Sequence, residues 1–290
     1  MTLSVAHAPS MTEPTEPACD DLTAAALRVR ERVLRLCATP DGAHAGGSLS
    51  EVEILLTLYR RVLRVLPERP DDPDRDIFVL SKGHGAAGLY AVLAECGFLT
   101  DEALASYGTP GSRFLAHPTT VVPGVEAATG SLGHGLPLGV GFAQAARLTG
   151  SARRCVVLTG DGELQEGSVW EAAMAAASLG LDALTAVVDR NELQISGGTE
   201  SVVRLEPLAD RWRSFGWTVR EADGHDIDAL TEVLSAPAEG GRPTAVIAHT
   251  RKGRGVPAIE GQTKSHFAKL TPRAYARAVR SLQGTGEEAS

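Results

Sequence analysis

Apolar residues recur along this chain in two rhythms. Between residues 20 and 36, Leu22, Ala26, Val29, Val33 and Leu36 fall at helical spacing with Arg and Glu between them, which predicts an amphipathic helix. Thr39, Pro40, Asp41 and Gly42 end it in a turn. Val52, Leu55, Leu56 and Tyr59 mark one face of a second helix, and Ser48 or Ser50 followed by Glu51 or Glu53 offers a capping arrangement at its start. Short apolar runs at 76–80, 155–158 and 184–189 do not alternate with polar residues and read as buried strands. Between them lie predicted helices at 86–95, 101–107 and, rich in Gly and Ala, from about 135 to 148. Another follows Ser168, which can cap it; it carries Trp170, Ala173, Met174 and Ala177 on one side and ends near Leu179 and Gly180. A strand at 217–219, a helix at 226–234, a strand at 244–249 and a closing helix at 272–282 complete the pattern.

Alternating strands and helices with continuously apolar strands predict an α/β fold, a parallel sheet covered by helices on both faces. The chain shows no internal repeat and no dividing linker, so residues 19–290 are expected to form a single domain. Residues 1–18 mix Pro, Thr, Glu and Ser without an apolar core and read as a disordered leader, not a signal peptide. The loops are the unusual feature. Residues 67–76 are rich in Pro and Asp, and 109–129, 191–203 and 251–270 carry little periodicity. Long irregular segments inside a compact domain are commonly functional.

Composition narrows the function classes. With 290 residues the chain can build a sizeable core without staples. A net charge of −8 argues against a nucleic-acid partner. Cys19, Cys37, Cys96 and Cys155 are scattered without metal-ligand spacing and are expected to be reduced in a cytoplasmic protein. No stretch is long and apolar enough to span a bilayer as a helix, so no membrane partner is expected.

The candidate chemistry centres on Gly160-Asp161-Gly162 after one strand and Asn191 after the next. In a right-handed β-α-β unit both polar side chains reach the carboxyl-end edge of the sheet, where open α/β sheets bind ligands. A carboxylate and an amide oxygen are hard donors suited to Mg²⁺, and the glycines would let backbone N–H groups approach a diphosphate. A Gly-Asp-Gly alone is an ordinary turn; the second polar residue at the matching position makes the pair informative.

The stretch Gly160-Asp161-Gly162-Glu163-Leu164-Gln165-Glu166-Gly167 with Trp170-Glu171-Ala172, answered by Asn191, resembles the thiamin-diphosphate and magnesium motif of transketolases. Other segments resemble that family in order: His44-Ala45-Gly46-Gly47-Ser48, Ser81-Lys82-Gly83-His84, His117-Pro118, the Gly130 to Gly135 loop with His134, and Lys264-Ser265-His266. The resemblance runs from about residue 25 to 270 and implies the diphosphate-binding domain of the thiamin-diphosphate-binding fold. It implies Asp161, Asn191 and the Leu193 carbonyl as metal ligands. His84, Gly130, Leu132, Gly160, Gly162, Glu166 and His266 would join Asp161 and Asn191 in holding thiamin diphosphate. Catalytic roles fall to His44, His84, His117 and His266, of which His44 and His117 would contact sugar hydroxyls and move protons. Imidazole suits proton movement near neutral pH. His225, in Asp223-Gly224-His225-Asp226, is expected to be a turn residue, and His249 is open to a structural or a functional role.

Departures surround the sugar more than the diphosphate. Ala43 and Ala116 precede His44 and His117 where the family commonly has Gly, Thr119 stands where an acid is frequent, and Phe267 follows His266 in place of Gly. In the family an activating Glu against the cofactor's pyrimidine comes from a second domain, and the sequence ends at Ser290 where that domain would begin. The resemblance therefore implies the amino-terminal subunit of a split transketolase. Its carboxy-terminal partner would carry that Glu, the assembly would be α2β2, and the substrates would be sugars or sugar phosphates. Glu166 and Glu171 would lie at the contact between subunits. Two other readings are an alpha-type subunit of another thiamin diphosphate enzyme, such as a 2-oxoacid dehydrogenase, and a non-catalytic docking subunit; the histidine segments favour transketolase over the first.

Overall fold

A computed structural model describes residues 21–287, with side chains to residue 284. The expected leader at 1–18, and Cys19, lie outside the described residues. Strands β1 (Ile77–Leu80), β2 (Cys155–Gly160), β3 (Leu184–Arg190), β4 (Thr218–Asp223) and β5 (Thr244–His249) form a parallel sheet in the order β1-β2-β3-β5-β4. The three strands read as apolar runs, β1, β2 and β3, are buried almost throughout, and so is β5, as strands covered on both faces must be. The edge strand β4 is half-exposed, and its Arg220, Glu221 and Asp223 explain why apolar patterning found only its first residues.

Side chains alternate between two cores. Phe78, Leu80, Val156, Leu158, Val187 and Val246 pack under the helices Leu22–Cys37, Ala45–Ser50, Val52–Thr57, Ala86–Glu95 and Ile227–Ser235. Val79, Val157, Ala186, Val188 and Ile247 face the helices Gly135–Thr149, Gly167–Ser178 and Leu208–Ser214 on the other side. The chain steps outward from β1 to β3, skips to the edge at β4, then returns to β5. With right-handed crossovers that reversal puts the β4–β5 helix Ile227–Ser235 on the opposite face from the helices Gly167–Ser178 and Leu208–Ser214 that follow β2 and β3, as observed.

Several local expectations are corrected. Ser48 and Ser50 do not cap a helix: the helix begins at Ala45, with His44 at its N-cap position, and the Ser50 hydroxyl instead donates to Asp189 at 2.6 Å. Ser168 lies inside its helix and donates to the Gly133 carbonyl at 2.8 Å, tying the helix to the Gly-rich loop. That helix buries Val169, Ala172, Ala173 and Ala176, while Met174 is exposed, so its inward face is one of small residues. The short helix after residue 100 stops at Leu104, and 193–202 holds a two-stranded ribbon and one helical turn in place of a bare loop. No helix among the described residues is long and apolar enough to cross a membrane.

Candidate active site

The carboxyl ends of β1, β2, β3 and β5 deliver Lys82, Asp161, Asn191 and Lys252 to one cavity of ≈ 510 Å³. Every residue given a catalytic, cofactor-binding or metal role from the sequence lines it: His44, His84, His117, Gly130, Leu132, Gly160, Asp161, Gly162, Glu166, Asn191, Leu193 and His266. His44 stands in the middle of the imidazoles, its ring centroid 5.7 Å from His84, 5.6 Å from His117 and 5.4 Å from His266. His84 and His266 are 5.1 Å apart.

Burial holds three of these rings, His44, His84 and His266, neutral. The His44 imidazole is lowered to about 4 by burial, with His117 and Lys252 adding to the shift. His266 is lowered to about 4 by burial and by Lys252. His84 lies well below its ordinary value for the same first reason, with Lys82 next. Neutral imidazoles can both accept and donate, which suits proton movement between hydroxyl and carbonyl oxygens. The buried His44 Nδ1 has no protein partner. The irregular 109–129 segment is fastened here: Tyr90 donates to the His117 carbonyl at 3.2 Å and Thr129 Oγ1 to the Leu80 carbonyl at 2.7 Å. At Gly130, φ is +150° and an added Cβ would stand 3.1 Å from the His117 ring, so only glycine turns the chain there without displacing that ring.

Asp161, Asn191 and Leu193 are drawn together by the backbone. Asp161 Oδ2 accepts from the Glu192 N–H at 2.5 Å and Asn191 Oδ1 from the Leu193 N–H at 3.2 Å. Glu192 itself is left-handed at φ 65°, a costly conformation for a side chain, which sharpens the turn between the two donors. Burial, then the neighbouring Asp189, raises the Asp161 carboxyl to about 6 despite Arg190. A buried anion so destabilised is a good partner for a cation, and carboxylate, amide and carbonyl oxygens form the hard donor set that Mg²⁺ takes. The Leu193 carbonyl accepts from Lys252 Nζ at 2.8 Å. The residues thus fit a magnesium diphosphate group.

The glycines act differently than expected. The Gly160 N–H donates to Glu163 Oε2 at 3.0 Å and the Gly162 N–H to Asp161 Oδ1 at 2.7 Å, so both are engaged.

Sequence reasoning gave no role to several groups that build the site. Glu163 accepts from Ser81, from the Gly133 N–H at 2.9 Å and from the Gly160 N–H, joining three loops. Lys82 is buried between Asp189 and Glu51, with Glu51 Oε2 at 2.9 Å, and also donates to the Gly47 carbonyl at 2.8 Å. Lys252 is lowered to about 8 by burial and by Lys82. A charged residue closing an apolar strand, Asp189, was the one available signal for this network. Of the remaining histidines, His134 is exposed beside the Leu132 carbonyl, and His249 bonds the edge residue Glu221 at 2.9 Å. His225 is more than a turn residue, since its ring is held between Glu53 and the Arg251 N–H.

Carboxylate, amide and carbonyl oxygens at the carboxyl edge of a parallel sheet, roofed by neutral imidazoles, define a domain built for a metal-bound diphosphate cofactor. Residues 23–286 match the family described as Transketolase, thiamine diphosphate binding domain. The chain is 45% identical over 249 residues to one of the subunits of the apulose-4-phosphate transketolase of Actinobacillus succinogenes, covering 85% of this chain and 90% of that one. It is 41% identical over 245 residues to the 6-deoxy-6-sulfo-D-fructose transketolase subunit SqwG of a Clostridium species, covering 84% and 89%. The transketolase from Leishmania mexicana superposes with a TM-score of 0.84 at 30% identity, over 91% of this chain and 41% of that longer one. The chain belongs to the transketolase family and has the fold of its thiamin-diphosphate-binding domain.

Proposed function

We propose that this chain is the amino-terminal subunit of a two-component transketolase. With a second chain it transfers a two-carbon ketol unit from a ketose, or ketose phosphate, to an aldose acceptor. The observation that carries the reading is the convergence, in one cleft, of the Asp161, Asn191 and Leu193 oxygens with His44, His84, His117 and His266. Relatives named as single subunits of apulose-4-phosphate transketolases, matched over most of their own length, support a partner chain. That partner supplies the pyrimidine-binding domain and its activating Glu, and two copies of each chain form the assembly. The described residues through the cleft act as a single domain. Free Cys37 and Cys155, their thiols pushed up to about 12 by burial, accord with a cytoplasmic location.

In this reading Asp161, Asn191 and the Leu193 carbonyl hold Mg²⁺, and Lys252, His84 and His266 face the diphosphate. Gly130, Leu132, Gly160, Gly162 and Glu166 shape the wall against which the cofactor lies. Thiamin diphosphate, when bound, supplies the electron sink that lets the carbon–carbon bond beside a ketose carbonyl break. His44 and His117 hydrogen-bond the sugar hydroxyls and move protons between oxygen atoms as the bond breaks and reforms. Donor cleavage and deuterium exchange at the thiazolium carbon test the assignment, measured with magnesium and thiamin diphosphate on this chain alone and with its partner. Slow exchange alone and fast exchange in the mixture are expected. Fast exchange in the isolated chain overturns the split-subunit reading, and no donor cleavage in the mixture overturns the activity.

A further inference from the structure

None of Arg30, Glu53 and His225 lines the cleft, and all three are buried or nearly so. Arg30 comes from the first helix, Glu53 from the helix Val52–Thr57, and His225 from the turn after β4. Arg30 pairs with Glu53 at 2.7 Å, and Glu53 Oε2 lies 3.0 Å from His225 Nδ1. His225 Nε2 accepts the Arg251 backbone N–H at 2.9 Å. A ring nitrogen that accepts carries no proton, so Nδ1 carries it and donates to Glu53. The carboxylate therefore sets the tautomer that lets His225 hold Arg251. At the other end of the same turn the Arg30 Nε donates to the Arg254 carbonyl at 3.1 Å. Between them the Gly253 N–H donates to the Gly46 carbonyl at 3.0 Å, two residues after His44.

We infer that Arg30, Glu53 and His225 are a positioning triad that fixes the turn at residues 251–254 and so aims Lys252 into the cleft; the inference rests on the reading of the cleft as the thiamin diphosphate site. Lys252 is flanked by the bonds at Arg251, Gly253 and Arg254, and its ammonium reaches Leu193 and His266, which stands 3.3 Å away. A buried ion pair is seldom better for stability than apolar residues of the same volume, so the gain from this one lies in the geometry it holds.

The test uses the assembly of this chain with its partner and compares His225→Phe, which keeps the ring and loses both hydrogen bonds, with His225→Gln, whose amide oxygen can still accept the Arg251 N–H. Thiamin diphosphate affinity is read by calorimetry in excess magnesium, the melting temperature without cofactor, and amide exchange over 251–255 by mass spectrometry. His225→Phe is expected to weaken cofactor binding about five- to tenfold, the effect of one hydrogen bond, and to speed exchange at 251–255. His225→Gln recovers most of both. Unchanged cofactor affinity in folded His225→Phe overturns the inference, as does a loss that His225→Gln does not recover. Should His225→Phe fail to accumulate, fast exchange of the 251–255 amides in the unmodified protein overturns it as well. If the unmodified assembly itself binds no thiamin diphosphate, the cofactor reading fails instead.

Discussion

Lys82 offers the sharpest test of what the cleft floor depends on. Its ammonium is 1% exposed and lies between Asp189 and Glu51, both fully buried. Burial raises the Glu51 carboxyl to about 8 even though Lys82 opposes the shift, whereas Lys82 and two hydroxyls outweigh burial to keep Asp189 below its ordinary value. At pH 7 the site is therefore one ammonium, one carboxylate and one carboxylic acid. Lys82→Met removes the ammonium bonded to both carboxyl groups and leaves the Ser50 and Thr250 hydroxyls as the hydrogen-bond donors to the Asp189 carboxylate. Breaking a buried pair from one side costs about 3–5 kcal/mol, which for a chain of this size lowers the melting temperature by about 5–8 °C. Glu51 adds a pH signature. Its folded pKa lies above the unfolded value of 4.5, so its contribution is present below pH 4.5 and is lost as pH rises towards 8. Glu51→Gln is neutral at every pH and should flatten that decline, leaving the variant more stable than the parent at pH 8.5. Urea unfolding of both variants and the parent at pH 5, 7 and 8.5 measures each term. A Lys82→Met protein within about 1 kcal/mol of the parent at pH 7 refutes the charge argument, because the two hydroxyls would then suffice for Asp189.

Other consequences follow from the same geometry. Asp161→Ala should weaken magnesium-dependent thiamin diphosphate binding by more than about a hundredfold, beyond the effect usual for residues behind the ligands, and Asn191→Ala less, since it removes a neutral donor. Unchanged cofactor titration in the assembled Asp161→Ala enzyme would sink the metal assignment. His117→Ala should lower turnover with cofactor affinity nearly intact, while His84→Ala, which removes a ring packed beside His266 and Gly47, should harm both; equal losses of affinity would contradict the separation. His44 and His266 are held at about 4, below the 6.5 of the unfolded chain, so their effect is absent above pH 6.5 and destabilises progressively as pH falls towards 4. His44→Asn should narrow the acid-side loss of melting temperature, and an unchanged pH profile would show that this imidazole is not held neutral.

The sequence by itself determined the sheet and most of the cleft inventory. Val79, Val157, Ala186 and Ile247 belong to runs that cannot face water on either side, so a parallel sheet under two helical layers follows from local pattern alone. Asp161 and Asn191 end adjacent strands, and chain handedness then places them at one edge. Pattern failed where a residue's partner is remote. Thr218–Asp223 is polar because it is an edge, and Ser50 and Ser168 bond across the fold rather than to their own helix ends. Only the tertiary structure decided that Lys82 faces Glu51 and Asp189, 107 residues further on, and that His225 reaches back 172 residues to Glu53. A buried charge is stable only beside its counter-charge, and that pairing is fixed by how helices pack on the sheet, not by any period along the chain.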